Sequence, residues 1–175
     1  MSELSINTSE LKAKVDGLKC GDRVLLSGTV YTARDAAHAR LVRLIENGKE
    51  LPFDIKDATI YYAGPTETPK GLAIGSCGPT TSGRMDSFSP ILLDNGLCGM
   101  IGKGARNQRV IDSIVKNKAI YLCAIGGAGA LAAKCITSCK VIAFEELGCE
   151  SIKKLEFKGF PLIVGCDSKG NSIFK

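Results

Sequence analysis

The residues best suited to chemistry in this sequence lie at positions 78–86, which read Gly-Pro-Thr-Thr-Ser-Gly-Arg-Met-Asp. An apolar run precedes them at residues 72–77 and is expected to form a buried strand, and residues 87–93 are typical of a helix. Glycines let a ligand approach the backbone, hydroxyl and amide groups at a helix start donate hydrogen bonds, and Arg84 offers a forked donor to a carboxylate or phosphate. The pattern predicts an anion site. The alternative is a run of N-cap residues that closes an ordinary turn.

Two further cations follow predicted strands. Arg34 comes after a strand predicted over residues 23–31, in the first turn of a helix predicted over residues 33–47. The helix dipole disfavours a cation there, so Arg34 is a candidate for binding a carboxylate, with a surface contact to Asp35 as the alternative. Lys103 stands between two glycines at the end of a glycine-rich strand. It is either a ligand-binding cation or an exposed loop lysine.

One histidine and one aspartate lie close to these cations. His38, the only histidine, is four residues after Arg34 and on the same face of the predicted helix. It could transfer a proton, or it could hold Arg34 or a backbone carbonyl, and we expect the supporting role. Asp86 lies two residues after Arg84 and is expected to pair with it.

A second glycine-rich turn follows a later predicted strand. Gly127, Gly129 and Ala132 match the G-x-G-x-x-A fingerprint of dinucleotide-binding folds, and Glu145 and Glu146 lie near the distance expected of a ribose contact. A nucleotide-binding module is therefore an alternative function. The fingerprint normally opens the first βαβ unit of its domain, whereas here it lies in the last third of the chain. The same turn can equally present helix N–H groups to a carboxylate.

A set of longer segments in a fixed order resembles a known family. The segments are residues 28–38 (Gly-Thr-Val-Tyr-Thr-Ala-Arg-Asp-Ala-Ala-His), 78–86, 93–104 (Leu-Asp-Asn-Gly-Leu-Cys-Gly-Met-Ile-Gly-Lys-Gly), 124–128 (Ala-Ile-Gly-Gly-Ala) and 144–148 (Phe-Glu-Glu-Leu-Gly). Together they resemble the β-type domain of the iron–sulfur-dependent hydro-lyases, which comprise class I fumarases and L-tartrate dehydratases. The resemblance extends over roughly residues 21–167.

The resemblance implies a swivelling β/β/α-type domain. The mixture of predicted strands and helices likewise indicates an α/β fold with a mixed sheet. We see no internal repeat and no linker, so residues 1–175 are expected to form a single domain. The closing strands are predicted over residues 151–157 and 160–164, with Pro161 at a sheet edge.

The resemblance also implies a reaction, the reversible hydration of a small dicarboxylate. The chain is expected to be the β subunit of a two-subunit class I fumarate hydratase. It should be active only with an α subunit, which would bind the [4Fe–4S] cluster. The β subunit of an L-tartrate dehydratase is the alternative, and mesaconate is left open as a substrate.

The family's motifs assign roles to individual residues of this sequence. Thr80 and Arg84 are the expected catalytic residues, with Thr80 as the candidate base, which a neighbouring group must activate. Substrate-binding residues, each with a positive charge or a hydroxyl group, are expected at Arg34, Thr81, Ser82 and Lys103. Supporting residues are expected at His38, Asp86 and Gly127. Thr81 and Ser82 could instead share the proton transfer or cap the helix.

Composition limits the classes of function. Hydrophobic residues make up 45% and charged residues 23%, as in ordinary globular proteins, and the basic residues behind the net charge of +5 are scattered, so nucleic-acid binding is not expected. The polar start lacks the apolar region of a signal peptide, and no run of about 18 apolar residues could span a membrane, so a cytoplasmic location is expected. A non-catalytic binding or scaffold domain is left open, and so is homodimerisation.

The eight cysteines are expected to be reduced and to act as small apolar side chains. Only Cys135 and Cys139 are close in sequence, and their spacing fits neither a zinc knuckle nor a ferredoxin motif. We therefore expect no metal ligand in this chain and place the ligands of the implied cluster in the partner.

Overall fold

The computed structural model describes residues 3–127 and 129–174. In that part of the chain the strands are β1 (Glu3–Asn7), β2 (Arg23–Thr32), β3 (Thr59–Tyr61), β4 (Gly99–Gly102), β5 (Ile120–Cys123), β6 (Ile136–Ala143) and β7 (Ile152–Cys166). The α-helices are α1 (Thr8–Lys14), α2 (Asp35–Glu46), α3 (Ser89–Asp94), α4 (Gln108–Asn117) and α5 (Gly129–Lys134). Short 3₁₀ helices cover Val15–Gly17, Ser82–Met85 and Glu145–Glu150.

Five of the strands close into a barrel-like ring. Strands β2 to β5 are parallel, and β7 runs antiparallel to both β2 and β5 and so joins the two ends of this set. Outside the ring, β1 pairs with β2 and β6 pairs with β7. The register aligns Thr32 with Tyr61, Tyr61 with Ile101, and Gly102 with Cys123. The carboxyl ends of the four parallel strands therefore lie side by side, and the predicted α/β class with a mixed sheet is confirmed.

Alternate strand residues face two separate apolar clusters, as the two-residue period of a strand requires. Tyr61, Ile101 and Leu122 belong to one cluster. The residues directly before them, Ile60, Met100 and Tyr121, belong to the other. The first cluster lies against β2 and β7, and the apolar faces of α2, α3 and α4 cover the second. No helix within the described residues is long and apolar enough to cross a bilayer.

The apolar run at residues 72–77 is not a strand, so that prediction was wrong. The Leu72 side chain is turned out, with the residue 62% exposed, while Ile74 and Cys77 are buried. The Cys77 amide donates to the carbonyl of Gly129 at 3.1 Å. The run finds its partner in a distant loop rather than in a neighbouring strand, which apolar content alone does not predict.

Two element boundaries also differ from the prediction. Helix α2 begins at Asp35, so Arg34 is its N-cap residue in extended conformation and not part of the first turn. The two predicted closing strands are one strand, β7. Along one edge, β7 pairs first with β6, as far as Phe157, and then with β5, from Ile163 onward. Pro161 lies between these two pairings, so its missing N–H removes a hydrogen bond from neither.

Candidate active site

The segment that carries Thr80 runs along the carboxyl ends of β3 and β4. The Thr80 amide donates to the Tyr62 carbonyl at 2.7 Å, and the Thr80 carbonyl accepts from the Lys103 amide at 3.3 Å. The Ser82 amide donates to the Lys103 carbonyl at 2.8 Å, and Thr81 pairs with Lys103 in a parallel bridge. The structure therefore brings the predicted hydroxyl cluster and the predicted lysine together.

Two arginines from different elements share one carboxylate beside this segment. Arg84 Nε donates to Asp35 Oδ1 at 2.9 Å, and Arg34 Nε lies 4.0 Å from Asp35 Oδ2. The contact between Arg34 and Asp35 that we kept as an alternative is thus present, but Arg34 Nε makes no hydrogen bond within the described residues. The Arg84 side chain is 53% exposed and that of Arg34 is 23% exposed, so both guanidinium groups can still meet a ligand. Asp35 brings the two arginines together.

Asp86 does not pair with Arg84, contrary to the prediction. Its Oδ1 accepts from Arg106 Nε at 2.7 Å and its Oδ2 accepts from the Asn107 amide at 2.7 Å. The Arg106 guanidinium is buried between the rings of Tyr62 and Tyr121, 5.3 and 5.0 Å from their centroids. Asp86 thereby anchors the end of the hydroxyl segment to the connection between β4 and α4. Sequence reasoning missed Arg106, which follows a glycine-rich turn and resembles a loop cation.

The Ser82 hydroxyl faces the interior. Ser82 is fully buried, and its Oγ lies 2.8 Å from the Tyr121 hydroxyl, which donates to the Gly104 carbonyl at 2.8 Å. A Cβ at Gly102 would lie 2.0 Å from Ser82 Oγ, so the glycine of β4 makes room for this side chain. Thr80 is half-buried and Thr81 is exposed, so these two residues, and not Ser82, border solvent here.

His38 supports the backbone of Arg34. Its Nδ1 lies 2.9 Å from the Arg34 carbonyl oxygen, which can only accept, so Nδ1 carries the proton. The ring is fully buried and its Nε2 has no partner within the described residues. Burial lowers the pKa of His38 to about 4, so the ring is neutral at neutral pH.

The second glycine-rich turn packs on the hydroxyl segment. Gly127 has a φ of 79°, which favours glycine, and a Cβ at Gly126 would touch the Lys103 side chain at 3.7 Å. A Cβ at Gly129 would lie 2.4 Å from Ser76 Oγ and 3.0 Å from the Gly78 amide nitrogen. Close packing thus accounts for Gly129 of the dinucleotide fingerprint. Ala128, within the same motif, lies outside the described residues.

The acidic residues suggested for a ribose contact do not support the nucleotide alternative. Glu146 is paired with Arg40, on the outer surface of α2. Helix α5, which the fingerprint would open, has only six residues. The glycine spacing therefore serves the packing of the turn beside Lys103.

The cysteines do not fit an iron–sulfur cluster. All eight are free, and no group of three or more His, Cys, Asp or Glu side chains within the described residues could hold a metal ion. Cys77, Cys98, Cys123 and Cys166 are buried within the two apolar clusters, and burial raises the pKa of Cys77 to about 12 and those of Cys98 and Cys123 to about 11. These four cysteines act as apolar core residues.

The candidate residues reach the surface of the chain. Thr81 and Arg84 are exposed, and Arg34, Thr80 and Lys103 are half-buried. Surface cavities of about 400, 490 and 430 Å³ on other parts of the molecule are not lined by any of these residues. A small ligand bound to them would stay partly exposed to water unless a second surface covered it.

The chain is similar to known proteins over nearly its whole length. The chain is 44% identical over 175 residues to the anaerobic class I fumarate hydratase of Escherichia coli K12, a match that covers 99% of this chain but 32% of that protein. It is 38% identical to a putative L(+)-tartrate dehydratase subunit beta of Methanocaldococcus jannaschii, covering 94% of this chain and 87% of that protein. It is 33% identical to the L(+)-tartrate dehydratase subunit beta of Escherichia coli K12, covering 96% and 85%. The family model for the fumarase C-terminus matches residues 1–175, and the chain therefore belongs to the fumarase C-terminus family.

Proposed function

We propose that this chain supplies the carboxylate-binding half of a hydro-lyase active site that acts on a small dicarboxylate. The observation that carries the proposal is that the Thr80 segment pairs with Lys103 at the carboxyl end of β4 and leads into Arg84, which shares the Asp35 carboxylate with Arg34. Charged donors of this kind bind carboxylates and stabilise the negative charge that develops when a proton leaves the neighbouring carbon.

The roles of the residues follow from their surroundings. Arg34 and Lys103 bind substrate carboxylates, and Arg84 uses the terminal nitrogens that its bond to Asp35 leaves unoccupied. Thr80 transfers the carbon-bound proton through its hydroxyl oxygen, with the exposed Thr81 hydroxyl beside it.

The remaining residues of the segment support these four. Ser82 holds the segment against Tyr121, and Asp86 holds it against Arg106. His38 fixes the backbone of Arg34, and Gly127 shapes the turn beside Lys103.

A second protein surface completes the site. A threonine hydroxyl is a weak base without an activating neighbour, and His38 is buried against a carbonyl, so we assign the activator of Thr80 to the partner. The family's [4Fe–4S] cluster is likewise assigned to the partner, because the cysteines here do not fit it. The partner is an α subunit or an equivalent domain.

Fumarate is the first candidate substrate, because the 44% identity is to a fumarate hydratase. L-Tartrate is the second candidate, because the chain matches 87% and 85% of the length of two tartrate dehydratase β subunits but 32% of that hydratase. Mesaconate differs from fumarate only by a methyl group and belongs in the same substrate panel.

An anaerobic assay with each acid tests the proposal, using the chain alone and the chain mixed with the cluster-bearing partner. We expect turnover only in the mixture, and turnover by the chain alone would contradict the division of the site. Arg84→Ala in the mixture should lower kcat/KM by at least about thirtyfold. A desolvated charged contact contributes roughly 2–5 kcal/mol, and about 2 kcal/mol corresponds to that factor. Arg43→Ala, on the outer face of α2, is the matched control and should leave kcat/KM unchanged.

A further inference from the structure

The guanidinium of Arg34 lies in a confined position. A Cβ added at Gly64 would lie 3.1 Å from Arg34 Nη1 and 3.1 Å from the Cys149 carbonyl oxygen. On the other side, Arg34 Nε lies 3.7 Å from Glu150 Oε1 and 4.0 Å from Asp35 Oδ2. These three side-chain atoms are buried and have no hydrogen-bond partner within the described residues. The charges of Glu150 and Asp35, rather than directed hydrogen bonds, therefore hold Nε, and the bare backbone of Gly64 makes room for Nη1 and Cδ.

The loop that carries Glu150 is itself fixed by a buried lysine. The Lys153 ammonium donates to Ser151 Oγ at 2.8 Å. It also donates at 3.2–3.3 Å to the three backbone carbonyls of Gly148, Cys149 and Ser151. Burial lowers the pKa of Lys153, which reflects how far this ammonium is withdrawn from water. Four acceptors around one ammonium restrain the loop directly before β7.

The same loop is tied to the strand that leads into Arg34. The Lys153 amide donates to Thr32 Oγ1 at 3.0 Å, and the Thr32 hydroxyl donates to the Ser151 carbonyl at 3.3 Å. Thr32 is the last residue of β2 and lies two positions before Arg34. The position of Glu150 is therefore set relative to the backbone that carries the arginine.

We propose that Glu150 is a positioning residue for Arg34. It holds the Nε side of the guanidinium and thereby fixes the direction in which this cation faces a substrate carboxylate. This inference rests on the proposed role of Arg34 in substrate binding. A carboxylate in this place has two opposite effects on a bound dianion. Its charge repels the dianion, whereas its hold on Arg34 orients the donor in advance.

The two effects make the sign of the response informative. If charge alone mattered, Glu150→Gln would lower KM for the dicarboxylate; if position matters, it raises KM. We expect KM in the assembled enzyme to rise about fivefold, which corresponds to a loss of about 1 kcal/mol of binding free energy. Glu146→Gln is the matched control, because it removes the same charge from the same segment while its partner is the distant Arg40. KM should not change in that control.

A double-mutant cycle separates positioning from a general loss of structure. In an Arg34→Ala background, Glu150→Gln should have no further effect on KM, since its action passes through the arginine. Gly64→Ala keeps the Glu150 carboxylate but crowds both the Arg34 guanidinium and the Cys149 carbonyl, so it should displace the arginine relative to Glu150 and raise KM in the same direction. A fall in KM with Glu150→Gln, no change in KM, or additivity of the two changes in the cycle would each overturn the proposal.

A measurement on the chain alone keeps this test apart from the proposed function. In the ¹⁵N spectrum of arginine Nε–H groups, Glu150→Gln should shift the Arg34 signal, and Glu146→Gln should not. An unshifted Arg34 signal would overturn the positioning role whatever the activity. If Arg34→Ala instead leaves KM unchanged while the Glu150→Gln shift is present, the assigned role of Arg34 in binding fails and the contact with Glu150 stands.

Discussion

Replacing Asp86 by asparagine should destabilise the chain, because it leaves the charge of Arg106 without its counter-ion. The Arg106 side chain is fully buried and that of Asp86 is 10% exposed, so solvent screens the pair little. Removing one partner of such a pair costs roughly 3–5 kcal/mol. The Ser89 hydroxyl at 2.6 Å and two tyrosine rings still contact the guanidinium, which favours the lower end, about 3 kcal/mol. For a chain of this length, that corresponds to a fall in melting temperature of about 6–12 °C.

Thermal and urea unfolding of the purified chain, followed by circular dichroism, measures this loss. Asp94→Asn is the matched control, because Asp94 pairs with Lys116 on the surface and the loss of such a pair costs about 0–1 kcal/mol. An Asp86→Asn variant that unfolds within about 1 kcal/mol of the unchanged chain would refute the account of the buried pair. The double variant Asp86→Asn with Arg106→Met should recover stability relative to Asp86→Asn, since no uncompensated charge remains.

Two further predictions concern His38 and Gly129. Burial lowers the pKa of His38 from 6.5 to about 4, so its contribution to stability is complete above about pH 6.5 and is lost as the pH falls towards 4. Urea titrations between pH 6.5 and 4 measure how steeply the free energy of unfolding falls with pH. This fall should be shallower in His38→Gln than in the unchanged chain, and an equal fall in both would contradict a neutral buried ring. Gly129→Ala would place a Cβ 3.0 Å from the Gly78 amide nitrogen, so it should displace the hydroxyl segment and lower kcat/KM in the assembled enzyme. Gly17→Ala, where a Cβ meets no atom within 4 Å, is its control and should leave turnover as it is.

The parts of the fold that were predictable depend on local pattern. The β-branched and apolar run of β2 and the glycine-rich run of β4 specify strands by themselves, and Arg34 and Lys103 follow directly after them. Because parallel strands end at one edge, the convergence of these two cations with the Thr80 segment follows from the strand assignments. The motifs of the resembled family named the same residues.

The parts that were not predictable depend on contacts between distant segments. Arg106 is buried because Tyr62, which follows β3, and Tyr121, which lies in β5, bring their rings to it from the two strands that flank β4. Glu150 contacts Arg34 although more than a hundred residues of the chain separate them. Neither contact has a periodic or motif signature. In the same way, residues 72–77 have the composition of a strand but find their hydrogen bonds in the loop at Gly129.

The exposed residues of the candidate site rest on a buried polar layer, and this arrangement is what the proposed half of an active site requires. His38 holds the backbone carbonyl of Arg34. The Tyr121 hydroxyl holds Ser82 in the Thr80 segment, and Arg106 holds Asp86 at the end of that segment. Each of these supports is buried and oriented before a ligand arrives, so binding a dicarboxylate should require little rearrangement of the backbone. Apart from Asp35, which is paired with Arg84, the outward groups of the candidate site are cations and hydroxyls, which bind and neutralise charge but do not by themselves activate a threonine. The division proposed here, with binding on this chain and activation on its partner, follows from that difference between the buried and the exposed polar groups.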